Sequence, residues 1–210
     1  MPFNQAIWDT FKVADDIRSV FPDGMTDPDI LEQIFAKMEA KISISGEQLI
    51  QFADHLRRNY AAALENGTTT VGALAGVPEL LAQLSAHKNF AQGVVTGNFE
   101  ATARMKLEAA GLSGHLSFGA YAGDSSHRSD LPPIAKRRWE IGSGRAIRLD
   151  SCVIVGDTPK DLEAARANGM KCVLVGTGRH AIEELRYHAP DAAITDLTDT
   201  GAVIDLLLKI

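Results

Sequence analysis

The sequence predicts an α/β protein: a doubly wound parallel sheet with helices on both faces, preceded by an α-helical domain. Three observations carry this. Beyond residue 90, short apolar runs alternate with helical patterns, the signature of βαβ units and a parallel sheet. Before residue 90 there is no convincing strand pattern, only apolar stripes at helical spacing. Between the two halves, residues 66–76 are rich in Gly, Thr and Ala and read as a crossover. The expected division is a helical domain over 1–70 and an α/β domain over 71–210.

In the first half, Ala6, Ile7, Phe11 and Ala14 form one stripe. A helix start at Thr26-Asp27-Pro28 precedes a second, Ile30, Leu31, Ile34, Phe35 and Met38. A third runs through Leu49, Ile50, Phe52, Ala53, Leu56 and Tyr60, capped by Ser45 with Glu47 and Gln48 in its first turn. Trp8, Phe11, Phe35 and Phe52 fit the inward faces of these helices. In the second half, a helix over Pro78–His87 leads to a strand over Ala91–Val95 and a helix over Phe99–Ala110, stopped by Gly111. A strand-like piece, Leu116–Tyr121, precedes a polar loop and a helix over Pro132–Ile141. A strand begins at Val153; its helix starts at Thr158-Pro159 and stops at Gly169. A strand over Cys172–Val175, a helix over His180–Tyr187, a strand over Ala192–Thr195 and a terminal helix complete the pattern.

Composition narrows the function. Net charge is -6 and the pI is near 5.5, which argues against a nucleic-acid or anionic-membrane surface. No apolar run approaches the roughly 20 residues of a membrane span, and the N-terminal residues lack the pattern of a signal peptide. Cys152 and Cys172 each open a strand-like run and read as buried thiols, consistent with a reducing cytoplasm.

Three strand ends carry chemistry. At Val94-Val95-Thr96-Gly97-Asn98 a buried strand ends in a hydroxyl, a glycine and an amide before a helix. A hydroxyl with N–H groups at a helix N-terminus binds phosphate oxygens, although a plain helix cap has the same residues. At Gly156-Asp157-Thr158-Pro159-Lys160-Asp161, carboxylates stand where a strand opens into a helix. They suit a hard cation such as Mg²⁺, and equally a helix cap. The loop from Gly123 to Asp130 offers Arg128, with Lys136 and Arg137 as rivals in the following helix. Arginine grips a phosphoryl group bidentately, but such a loop also occurs as solvated surface.

Together, in this order, these segments resemble the haloacid dehalogenase-like hydrolases, in particular phosphatases with a helical cap such as the phosphoglycolate phosphatase-like members. The resemblance covers nearly the whole chain and is strongest across 76–81, 94–111 and 153–169. It implies that Thr96, with Gly97 and Asn98, binds the transferring phosphoryl group of a small phosphorylated metabolite. It implies that Asp157 ligates Mg²⁺ and that Asp161 supports the metal site. It also implies that a cation between them steadies nucleophile and phosphate: Arg128, where the commoner pattern is Lys-Pro and this chain has Arg128-Ser129, or Lys136. The helical 1–70 segment is then the cap that covers the site.

The resemblance also exposes a gap. The reaction starts from an aspartate in an hhhhDxDx[TV] strand, which forms an aspartyl-phosphate. Asp9 and the Asp15-Asp16 pair lie in helical patterns, and Asp27 and Asp29 lie in a helix start. The expected sheet therefore lacks its first strand, as in a chain begun too far downstream or shortened, and the chain is expected to be inactive alone. An exposed slot would favour dimerisation or strand borrowing. Two other readings remain: an anion-binding or protein-interaction module on the same fold, and a dehalogenase or phosphonate-cleaving relative. The latter would use a cap lysine, for which Lys12, Lys37 and Lys41 are available.

Overall fold

The computed structural model describes residues 1–14, 16–38 and 43–210. Asp15 and Lys41 lie outside the described residues.

Three helices make up the first part: α1 (Pro2–Phe11), α2 (Asp27–Ala36) and α3 (Gly46–Glu65). Pro2 suits the first turn of α1, and Lys12 in the left-handed conformation closes it, its N–H donating to the Trp8 carbonyl. The helix therefore stops before Ala14, which is exposed instead of continuing the apolar stripe. The Thr26 hydroxyl accepts from the Asp29 N–H and starts α2. Ser45 and Gln48 start α3 through a reciprocal capping box. Ile7, Leu31, Ile34, Phe35, Phe52 and Leu56 form the centre of one cluster. The Phe3–Phe52 and Phe11–Phe35 rings meet edge to face at 5.1 Å and 4.8 Å. Two residues expected to face inward do not: Trp8 is 48% and Ile50 73% exposed.

The rest is α/β, with helices α4 (Val77–Ala86), α5 (Glu100–Ala109), α6 (Leu131–Ser143), α7 (Pro159–Ala167), α8 (Ile182–Tyr187) and α9 (Thr200–Leu207). Strands β1 (Val94–Val95) and β2 (Gly119–Ala120) pair in parallel, as do β3 (Val153–Gly156), β4 (Lys171–Val175) and β5 (Ala192–Ile194) in that order. The expected single sheet is thus two ladders, β1-β2 and β3-β4-β5. The predicted strands at 91–95 and 116–121 shrink to two residues each, because among the described residues β1 is paired on one side only. β4 is buried along nearly its whole length, whereas Val155 of β3 is 44% exposed, an apolar residue on a strand that has one partner among the described residues. Cys172 is buried in β4, and Cys152, just before β3, is half-buried; both are free thiols. Burial pushes the Cys172 thiol up to about 12.

The two parts share their core. Phe99, at the start of α5, joins the helical cluster and lies 6.3 Å from the Phe52 ring. No helix among the described residues is long and apolar enough to cross a membrane.

Candidate active site

The carboxyl ends of β1 and β3 open onto one cavity of about 600 Å³. Its lining includes Thr96, Gly97, Asn98, Arg128, Asp157 and Asp161, from three separate loops. Ligands in open α/β sheets bind at such strand ends. Lys136 stands apart: it pairs with Glu140 along α6 at 2.8 Å, near Cys152, and does not line the cavity.

At the end of β1, the Thr96 hydroxyl accepts from the Asn98 N–H at 3.2 Å, which leaves its own proton to donate elsewhere. The Asn98 side chain is already engaged. Its amide donates to Asp27 Oδ1 at 3.2 Å, and its oxygen accepts from Lys106 Nζ at 2.8 Å. Lys106 also lies over the Tyr60 ring, 4.6 Å from its centroid.

At the end of β3, Asp161 is the hub. Its Oδ2 accepts from the Asp157 and Thr158 N–H groups at 3.1 and 3.0 Å and from the Thr158 hydroxyl at 2.9 Å. Its Oδ1 accepts from Arg128 Nη2 at 2.5 Å. Asp161 thus caps α7 and anchors Arg128. Asp157, by contrast, is a half-buried carboxylate in the crevice. Desolvation, then the Asp161 charge beside it, and to a smaller degree Asp23, raise its pKa, while Arg128 opposes them. Gly178 leaves room for this carboxylate, since a Cβ there would run into it. Negative charge crowded into a partly dry crevice is what a divalent cation neutralises, so the donor chemistry fits Mg²⁺. A magnesium ion needs only one or two protein carboxylates, with waters and substrate oxygens completing its shell. Among the described residues, no cluster of three or more His, Cys, Asp or Glu side chains forms a closed protein cage.

Arg128 pairs through Nη2, while its buried Nε finds no acceptor among the described residues. A buried guanidinium N–H without an acceptor is costly.

Sequence reading expects the 1–70 segment to cover the site but does not single out which of its residues do. Residues 22–29 touch every core loop around the cavity. Asp23 pairs with Arg179 at 3.1 Å, and Lys160 approaches Asp29 at 4.0 Å. The Thr26 hydroxyl donates to the Ser126 carbonyl at 2.6 Å. Gly97 packs so closely on Met25 and Thr26 that a Cβ would collide with the Met25 carbonyl. Asp27, 2% exposed, accepts from the Phe99 N–H at 2.9 Å. Desolvation raises its carboxyl pKa to about 6, against the pull of the Phe99 N–H, Lys106 and Asn98. An Asp beside a Pro at a helix start is an ordinary cap, and only the long-range contacts set it apart. Of the three lysines considered for a phosphonate-type mechanism, the two described ones lie elsewhere: Lys12 donates to the Asp9 carbonyl and Lys37 to the Ser19 carbonyl.

The parallel α/β scaffold thus brings a hydroxyl, a guanidinium and a carboxylate together at converging strand ends, where ligands of such sheets bind. The chain belongs to the haloacid dehalogenase-like hydrolase family, whose model matches residues 12–166; a HAD-hydrolase-like model matches 134–200. It is 25% identical over 134 residues to a 5'-nucleotidase of Pseudomonas aeruginosa, 62% of this chain. It is 28% identical over 136 residues to the probable phosphatase IndB of Dickeya dadantii, 64% of this chain. The match spans 57% of the length of each of these relatives. A hydrolase from Pseudomonas syringae has a similar fold (TM-score 0.70, 24% identity, 97% of this chain and 89% of that one). So does a predicted phosphoglycolate phosphatase from Haemophilus somnus (TM-score 0.63, 19% identity, 97% and 88%).

Proposed function

We propose that the chain carries the phosphate- and metal-binding parts of a Mg²⁺-dependent phosphatase acting on a small phosphomonoester. The observation that supports it is the convergence of Thr96, Arg128 and Asp157, from three loops, on one cavity. The helical 1–70 segment acts as the cap, and its 22–29 stretch roofs the cavity. In this reading the Thr96 hydroxyl and the Arg128 guanidinium bind phosphoryl oxygens, Asp157 holds the metal, and Asp161 orients both Asp157 and Arg128. Bound magnesium would neutralise charge on the phosphoryl group. Asn98 contributes through its backbone, since its side chain is held between Asp27 and Lys106.

The aspartyl-phosphate route needs one more group: a carboxylate aimed at phosphorus from a strand end. The carboxylates around the cavity have other work. Asp27 caps α5, Asp161 is saturated, Asp23 pairs with Arg179, and Asp157 is the metal ligand. Among the described residues β1 and β3 each have an edge without a partner, and in this reading one further parallel strand pairs there and bears the nucleophile. Additional sequence or a different chain would supply it, whereas a homodimer of this chain would only cover the open strand edges. A measured solution mass of a stable monomer at high concentration would remove the homodimer.

The 210 residues alone are then an anion- and metal-binding module without turnover. The test is p-nitrophenyl phosphate hydrolysis with Mg²⁺, by this chain and by one extended with a DxD-bearing strand. Turnover only in the extended protein is expected. Hydrolysis by the 210-residue chain that survives Asp157→Ala would overturn the reading, as would its absence from both.

A further inference from the structure

We propose that Asp27 is a positioning residue for the phosphoryl-binding turn: through Asn98 and the Phe99 N–H it sets the direction of the Thr96 hydroxyl. This rests on the reading of Thr96 as a phosphoryl ligand.

Asp27 grips the turn in three places. Its N–H donates to the Gly97 carbonyl at 2.7 Å. Its two carboxylate oxygens accept from the Asn98 side chain and the Phe99 N–H. Lys106, bound to the far end of the Asn98 amide, fixes which end faces Asp27. The Asn98 N–H in turn occupies an acceptor position on the Thr96 hydroxyl, and so directs the hydroxyl proton away from it. A rigid chain of bonds therefore runs from the first turn of α2 to the atom that would meet the phosphoryl group. Such preorganisation lets a hydroxyl bind without reordering.

This carboxylate is not needed by its own helix. Thr26 already caps α2, and the Asp27 side chain points across to α5, whose first residue has no cap of its own. Nor does asparagine substitute for it. Both oxygens of Asp27 accept, and the amide nitrogen of an asparagine at this position would turn a donor toward a donor. The chemistry of the turn, and not only space filling, selects a carboxylate here.

The test is a double-mutant cycle read as affinity for inorganic phosphate, by calorimetry in the presence of Mg²⁺, with Asp27→Asn and Thr96→Val. Each single substitution is expected to weaken binding about tenfold or more, and the pair no further than Thr96→Val alone. If Asp27→Asn lowers the melting temperature but leaves phosphate affinity within about twofold, Asp27 is structural and the proposal is overturned. Equal losses with Thr96 intact and with Thr96→Val also overturn it, because Asp27 would then act by a separate route. An unchanged affinity in Thr96→Val alone would instead sink the phosphoryl role of Thr96, and this proposal with it. If Asp27→Asn does not fold, Asn98→Ala in the same two backgrounds takes its place: loss confined to the Thr96 background supports the proposal, and equal loss in both overturns it.

Discussion

Arg128 and Asp161 are joined by a 2.5 Å ion pair in which the carboxylate is 5% and the guanidinium 18% exposed. The pair ties the loop before α6 to the first turn of α7, so two of the three proposed phosphate and metal loops move as one. Removing one partner strands the other charge in a poorly solvated place. Asp161→Ala is expected to destabilise the protein by about 3 kcal/mol, since it also orphans the Asp157 and Thr158 N–H groups. Urea unfolding that moves by less than about 1 kcal/mol would show that the pair is not a structural anchor.

Arg128 and Lys136 separate by function. Arg128→Lys replaces the guanidinium that lines the cavity with a single ammonium and is expected to weaken phosphate binding about tenfold. Lys136→Met, outside the cavity, is expected to leave phosphate affinity within about twofold. The reverse ranking in a calorimetric titration would reassign the cation.

Burial and the Asp161 charge beside it push the Asp157 pKa up, so the fold works against its charged form. Asp157→Asn should therefore raise the melting temperature at neutral pH while weakening Mg²⁺ binding. The two opposed directions in one variant mark a ligand. A substitution that lowers both would identify Asp157 as a helix cap.

Gly178→Ala places a methyl group against the Asp157 carboxylate from an exposed loop. It is expected to cut Mg²⁺ affinity about tenfold with a stability change near ~0.5 kcal/mol. Unchanged affinity would mean that the loop yields and that Gly178 does not shape the metal crevice.

Asp27 predicts a pH dependence of stability. Its folded pKa of about 6 lies above the ordinary 3.8, so the folded state holds a proton that the unfolded chain releases. The stabilising contribution is fully present below about pH 4 and is lost as pH rises through about 6. It amounts to about 3 kcal/mol. Between these limits the native chain should lose stability relative to Asp27→Asn, as read by urea unfolding at each pH. A difference that stays constant from pH 4 to about pH 6.5 would rule out a raised carboxyl.

The alternation of short apolar runs with helical stripes made the α/β class readable, because strand and helix periods are local properties of the chain. The candidate residues Thr96, Arg128, Asp157 and Asp161 were readable for a related reason: strand ends, glycines and helix starts leave local marks. What each one does was not. Asp161 reads as a second acidic residue of a metal motif, yet its oxygens are filled by Arg128, Asp157 and Thr158, one of them 33 positions away. Lys136 and Arg128 have the same charge and neighbouring positions, and only packing turns one into the cavity and pairs the other with Glu140. Trp8 and Ile50 have inward-looking spacing, but both are exposed.

By itself, then, the sequence determined the element types, their order and the strand-end residues, all of which follow from backbone periodicity and turn chemistry within a few positions. The tertiary structure alone decided that β1 and β3 remain in separate ladders, that residues 22–29 roof the cavity, and that Asp27 reaches the Asn98–Phe99 turn 71 and 72 positions away. Those facts depend on which distant groups satisfy one another's hydrogen bonds and share one core, and no local pattern encodes that pairing.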